Sequence, residues 1–313
     1  MCIRDSYAPV TAVVVESVEE DTAVKQQAKQ QAKKETMQSV TGVIVASQVL
    51  DSVGQTSPEQ LDYAVSLVRD IPQDIHDAVH EPYAARAVIY CMLIDKQDDI
   101  RQKQLRQLRE FGDSGIFELT EKLLAGVQGL DIKFRLPLID MALPSLRQLS
   151  EAQYQLFKKN LLFLMQTDNR IDMFEWSLQK IIFHHLDSEF GKPRKRIAKY
   201  GSLNAVKHDI NILMSMLIYA CVQDKSQIKT AFIAAEKELG LNYLVLLSRK
   251  EINIETLGLA VDMLALLKPL LKPRLLKACV VVITLDQEYT PNEMELMRAI
   301  ADVLDCPLPP YLA

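Results

Sequence analysis

Two stretches of the chain, more than a hundred positions apart, repeat one acidic pattern at the mouth of an amphipathic run. MQTDNRIDMFEWSLQKII, from Met165 to Ile182, aligns with ITLDQEYTPNEMELMRAI, from Ile283 to Ile300. Asp168 falls on Asp286, Ile171 on Tyr289, Asp172 on Thr290 and Glu175 on Glu293. In each copy an apolar run precedes the first Asp, and apolar residues at helical spacing follow the Glu. Such a repeat confines the C-terminal half to a helical module built from two related units.

The rest of the chain agrees with helix. Only 10 of 313 residues are Gly, and Leu, Ala, Gln and Lys are abundant. Ser57-Pro58-Glu59-Gln60 and Ser150-Glu151-Ala152-Gln153 are capping boxes, the first with Pro at the first helical position. The spacing predicts helices to about Asp70, from Pro82 through Met92, over 98–111, 116–127 and 133–149, and from Ser150 to Thr167. Further helices are expected over 172–186, 203–222, 225–239, 256–267, 273–285 and onward to about Leu304. Val280 to Ile283 is β-branched but lies within a helical period, so no strand is assigned.

The expected fold is all-α. Residues 1–50 are read as a linker, in which VKQQAKQQAKKET has almost no apolar face. A helical-hairpin connector follows over 51–149, then a helical domain over 150–313. MCIRDS at the start matches nothing that follows and is read as foreign sequence, so the chain is expected to begin mid-protein.

Composition limits function. A net charge of -5 argues against the whole chain being a nucleic-acid binder. Five scattered Cys with no CxxC pair are read as reduced core residues. No signal peptide and no run of about 18 apolar residues is visible, so this stretch is expected to be soluble.

The acidic turns carry two readings. Clustered carboxylates on turns suit a hard divalent cation, with Asp168, Asp172, Glu175, Asp286, Glu288 and Glu293 as candidate ligands. Asp172-x-x-Glu175 and Thr290-x-x-Glu293 are also capping boxes, in which each Glu serves its own backbone N–H. The EF-hand pattern is absent: Arg170 stands at the third loop position and no Gly at the sixth. A basic loop with Lys192, Arg194, Lys195, Arg196 and Lys199 suits an anionic membrane surface, or is simply a solvated connection. His76 and His80 share the i, i+4 spacing of zinc-peptidase helices, but Asp77 stands where those have Glu and Pro82 follows at once. His184 and His185 point apart on a helix and suit its C-terminal dipole. Trp176 is assigned to the core.

The run from LPLIDMALPSLRQLSEAQYQLFKKNLLFLMQTDNRIDMFEWSLQKIIFHHLDSEFG, through KYGSL, to YTPNEMELMRAIADVLDCPLPPYL resembles the cytoplasmic C-terminal extension of bacterial HtpX-like zinc metallopeptidases (metallopeptidase family 48). SVGQTSPEQLDYAVSLVRDIP and PYAARAVIYCMLID resemble the connector of the same proteins, so the likeness covers about Asp51 onward. The acidic turns also resemble the tellurite-resistance TerB-like helical module. The family implies membrane-anchored zinc endopeptidases of protein quality control, with this region at the cytoplasmic face of the inner membrane. It implies zinc in an upstream catalytic domain, and as partners the upstream protease and membrane domains, a protein substrate or regulator, and the membrane surface. The His-Glu-x-x-His helix and the membrane spans of the family are absent from this sequence. No catalytic residue carries over, and the chain alone is expected to be inactive. What carries over is Asp168, Asp172, Glu175, Asp286 and Glu293 on the turns.

Overall fold

Punctuation in the sequence explains most of the helix boundaries in the computed structural model, which describes residues 65–168, 171–191, 197–222, 226–285 and 290–306. Residues 65–70 are helical, and Pro72 interrupts the run and caps a short helix α1, Gln73–Val79. Pro82 stands at the first turn of α2, Pro82–Leu93, where the Glu81 carboxylate accepts from the Ala84 N–H at 2.5 Å. Then come α3 (Asp98–Phe111), α4 (Ile116–Gly129), a 3₁₀ turn η1 (Ile132–Phe134), α5 (Arg135–Leu146), α6 (Glu151–Gln166) and α7 (Met173–Phe190). Gly115 before α4 takes φ +84, a left-handed conformation that only Gly adopts cheaply. The second half holds η2 (Leu203–Val206), α8 (Lys207–Cys221), α9 (Ile228–Leu239), α10 (Ile254–Leu264), η3 (Pro269–Leu271), α11 (Lys272–Ile283) and α12 (Pro291–Val303).

All the regular structure described is helical, as expected; the sole extended pairing among these residues is an isolated bridge between Tyr200 and Leu267. The sequence reading ran from Asp70 to Pro82 without a helix, whereas α1 fills part of that gap. Seven residues are too few to hold a helix alone, and Ile75, Ala78 and Val79 bury themselves to stabilise it.

Helix α2 is buried along most of its length, apolar but for Arg86, which pairs with Asp113, and it packs against α1, α4, α5 and α6, which places it at the centre of the first half. Its C-terminal loop is fixed by the buried Gln104 side chain. That amide donates to the Leu93 and Leu164 carbonyls, each at 2.9 Å, and its oxygen accepts from the Asp95 N–H at 2.8 Å. In the second half α9 packs on α11, α8 on α10, and α7 on α12. The two helices that follow the acidic turns are therefore direct neighbours. One apolar cluster runs from Leu67 to Leu304, so side chains on both sides of the expected 149/150 boundary share a core. Trp176 is part of it, against Gly258 of α10.

An ionic network crosses the α5, α7 and α12 contact. Arg298 donates to both oxygens of Asp140 at 2.8 and 3.0 Å and, through Nε, to Asp302 at 3.0 and 3.1 Å. His185 Nε2 lies 3.1 Å from Asp302, and His184 Nε2 lies 3.5 Å from Asp305. The two histidines thus pair with α12 and the turn after it rather than with a helix C-terminus alone. The described cysteines are all free thiols: Cys91, Cys221 and Cys279 are buried and Cys306 is partly so.

Candidate functional site

Each acidic turn does what its spacing dictates locally. Asp172 accepts from the Glu175 N–H at 2.8 Å while Glu175 accepts from the Asp172 N–H at 2.9 Å. Thr290 and Glu293 make the same reciprocal pair at 3.3 and 2.8 Å. Both helix starts are complete capping boxes, and both glutamates are engaged by their own backbone. Asp286 and Glu288 lie outside the described residues, as do Lys192, Arg194, Lys195 and Arg196. Lys199 is exposed.

Above the first turn the tertiary fold adds groups that the sequence reading did not nominate. A cleft of about 380 Å³ opens between the loop after α2, the end of α4 with η1, and the start of α7. Asp95, Asp131, Asp172 and Glu175 line it, with Lys96 and Arg135 as the cations and Ile132, Phe134 and Phe174 as the apolar wall. Local bonds position each acid. Asp95 accepts from the Gln97 N–H at 2.6 Å, and Asp131 from the Lys133 N–H at 3.0 Å. Gln128 donates to the Ile94 carbonyl at 2.6 Å, which ties the two rims together. Arg135 stacks over the Phe174 ring at 4.0 Å and approaches Glu295 of α12 at 3.7 Å.

The electrostatics follow from this crowding. Burial pushes the Glu175 carboxyl up to about 7; its cap N–H opposes the rise, and the charges of Asp172, Asp168 and Asp95 reinforce it. Glu295 is also raised to about 7, mainly by burial, with Arg135 opposing and Asp172 reinforcing. Asp168, Asp172 and Glu175 therefore share one field, as their spacing suggested, and it also includes Asp95 and Glu295. Asp95 and Asp131 carry a legible signal, since both are turn-forming Asp just past a helix end. Glu295 had a subtler one: with Arg298 and Asp302 it forms an i, i+3, i+7 polar stripe on a helix whose other residues after its first turn are apolar.

The zinc chemistry implied by the family resemblance does not fit the histidines present. Helix α1 ends at Val79, and His80 Nδ1 is 2.7 Å from the His76 carbonyl, to which it donates. Asp77, not a glutamate, lies between the two, and among the described residues no third ligand joins them. Among the described residues, no group of three or more His, Cys, Asp or Glu is arranged to hold a metal ion, and no helix is long and apolar enough to cross a membrane. No protein-family model matches the chain, and neither a curated protein nor a solved structure shows significant similarity to it.

Taken by its chemistry, the cleft suits a cationic group. Asp95, Asp131, Asp172 and Glu175 line one recess with Lys96 and Arg135, so acids outnumber cations in its lining. A lysine or arginine side chain entering there meets carboxylate acceptors and a wall for its methylene stem.

Proposed function

We propose that this chain is a non-catalytic docking region of a membrane-bound zinc metalloendopeptidase, and that the cleft above the first acidic turn receives a basic segment of a protein substrate or regulator. The resemblance of 51–313 to the cytoplasmic extension of HtpX-like peptidases supports the first part. The observation that carries the second is the convergence of Asp95, Asp131, Asp172 and Glu175 on one recess from three separate parts of the chain. A helix cap alone requires Asp172 and Glu175; it does not require Asp95 and Asp131 beside them.

The docking reading is tested by fluorescence anisotropy with a labelled Lys/Arg-rich peptide and its Glu-substituted counterpart. Asp95→Asn and Asp131→Asn avoid the cap and should each weaken binding several-fold, with the interaction fading at high salt. Equal binding of the two peptides, or no response to either substitution, sinks it. The parent assignment has its own test in the genomic reading frame: upstream codons for a His-Glu-x-x-His helix and hydrophobic spans support it, and an upstream region without them refutes it.

A divalent cation at the first turn is the second reading. It is favoured by the neighbouring carboxylates Asp172, Asp168 and Asp95, which add to the burial that raises Glu175, because a bound cation would relieve their repulsion. Calorimetric titration with calcium, magnesium and zinc decides between the two: heat and a raised Tm support the ion, and their absence removes it.

A further inference from the structure

We propose that the surface around the Tyr200–Leu267 bridge is a docking face for an anionic lipid bilayer. The inference is independent of the acidic cleft. Main-chain bonds hold two distant segments side by side: the Lys199 and Tyr200 N–H groups donate to the Leu266 carbonyl at 2.8 and 3.2 Å, and the Lys268 N–H donates to the Tyr200 carbonyl at 2.9 Å. Next to the pairing the Lys268 side chain lies over Gly201; a Cβ there would sit 3.5 Å from its Nζ.

Both segments are basic in a chain of net charge -5. From Ile197 to His208 the sequence has Lys199 and Lys207 and no acid. From Met263 to Leu285 it has Lys268, Lys272, Arg274 and Lys277 and no acid. Three of these cations are occupied: Lys272 pairs with Asp305, Lys207 donates to the Asn242 carbonyl and Arg274 to the Glu238 carbonyl. Lys199, Lys268 and Lys277 are exposed, and no described carboxylate pairs with them. The acid that precedes this stretch, Asp262, is held by Lys180 at 2.9 Å.

The same two segments expose aliphatic side chains. Ile197, three residues before Tyr200, is 74% exposed, and Leu270, three residues after Leu267, is 93% exposed. They are the two most exposed aliphatic side chains described. Neither belongs to an apolar cluster, and each lies two residues along the chain from an exposed lysine, Lys199 or Lys268. Lysines at the level of lipid phosphates, with Leu and Ile reaching into the acyl boundary, is the chemistry of an interfacial anchor. A nucleic acid offers phosphates but no acyl layer for Leu270, and sequence-tolerant binding to it relies on aromatic platforms rather than aliphatic tips.

Co-sedimentation of the full chain with phosphatidylglycerol-containing vesicles and with pure phosphatidylcholine vesicles tests the idea. Binding is expected to the anionic vesicles only. Lys268→Glu and Lys199→Glu should each reduce it by roughly five-fold or more. Leu270→Ser with Ile197→Ser should reduce it by roughly ten-fold, with unchanged circular dichroism because both side chains are exposed. Asp95→Asn should leave it intact, which separates this face from the cleft. Equal binding to neutral vesicles, or no response to the lysine reversals, overturns the proposal. Binding to an oligonucleotide that the Leu270 and Ile197 changes leave untouched also overturns it, in favour of a phosphate-only surface.

Discussion

Arg298 offers the sharpest test of how the helices are tied together. It donates to Asp140 on α5 through two nitrogens and to Asp302 on its own helix through a third, at distances of 2.8–3.1 Å. Arg298→Met keeps the methylene stem and removes the charge. Two carboxylates then face each other without their shared cation. Breaking a fully buried ion pair costs about 3–5 kcal/mol. Asp302 is buried, but Asp140 retains some solvent contact and can rehydrate, so the expected loss is about 2–4 kcal/mol. For a chain of this size that lowers Tm by roughly 4–15 °C. The pH dependence is diagnostic. Burial already raises the Asp140 carboxyl above the usual range, and Arg298 opposes that rise. In the variant that opposition is gone, and the Asp140 carboxyl should rise further above its unfolded value. The contribution of Asp140 is then fully present below the unfolded Asp value, about pH 4, and is lost as pH rises through its folded value. The gap to the parent protein, measured by urea denaturation followed by circular dichroism, should be widest at pH 7.5 and narrow on acidification. Adding Asp140→Asn should recover part of it. A gap below about 1 kcal/mol, or one that does not narrow with acid, refutes the reasoning.

Glu295 and Glu175 are raised to about 7, so each disfavours the folded state progressively as pH climbs from the unfolded Glu value through 7. Glu295→Gln should therefore stabilise by about 1–3 kcal/mol at pH 8 and give no benefit at pH 4.5; urea midpoints across that range check it, and a constant difference contradicts it. Glu175→Gln should behave similarly because Gln still completes the box, whereas Glu175→Ala also loses the cap. Asp172→Ala and Thr290→Ala should each cost about 0.5–2 kcal/mol in thermal denaturation, and Asp172→Asn much less. Gly240 ends α9 at φ +56, and a Cβ there would lie 2.1 Å from Arg274 Nη2. Gly240→Ala should cost about 1–2 kcal/mol and free Arg274 from the Glu238 carbonyl; an unchanged Tm would contradict that account.

Much of the helical layout was legible because it is set within a turn or two of chain. The expected helix over 98–111 is α3, Asp98–Phe111, residue for residue. The boxes at Ser150, Asp172 and Thr290 all form, since an Ncap oxygen and an N–H three residues on meet in any helix that starts there. The cleft was only half legible. Asp172 and Glu175 were marked by their spacing, but Asp95 and Asp131 belong to other loops, and no local pattern says that three loops converge. The metal reading gathered acids by sequence similarity; the fold adds Asp95 and Asp131 beside Asp172 and Glu175.

What the sequence determined by itself, then, was the helical class, most helix starts, and a repeated acidic turn. Those depend on side-chain to backbone bonds over three or four residues and on the period of the apolar face. What only the tertiary structure decided was which faces meet. Glu295, Arg298 and Asp302 form a polar stripe that a periodicity reading sends to solvent, yet Glu295 and Asp302 are buried and Arg298 nearly so, because Arg135 and Asp140 at the start and middle of α5 and His185 of α7 provide partners. Helix α1 likewise exists because its neighbours cover Ile75 and Val79. Periodicity marks a face as apolar or polar but carries no information about the helix opposite, and the opposite helix decides whether a charge is buried with a partner or left in water.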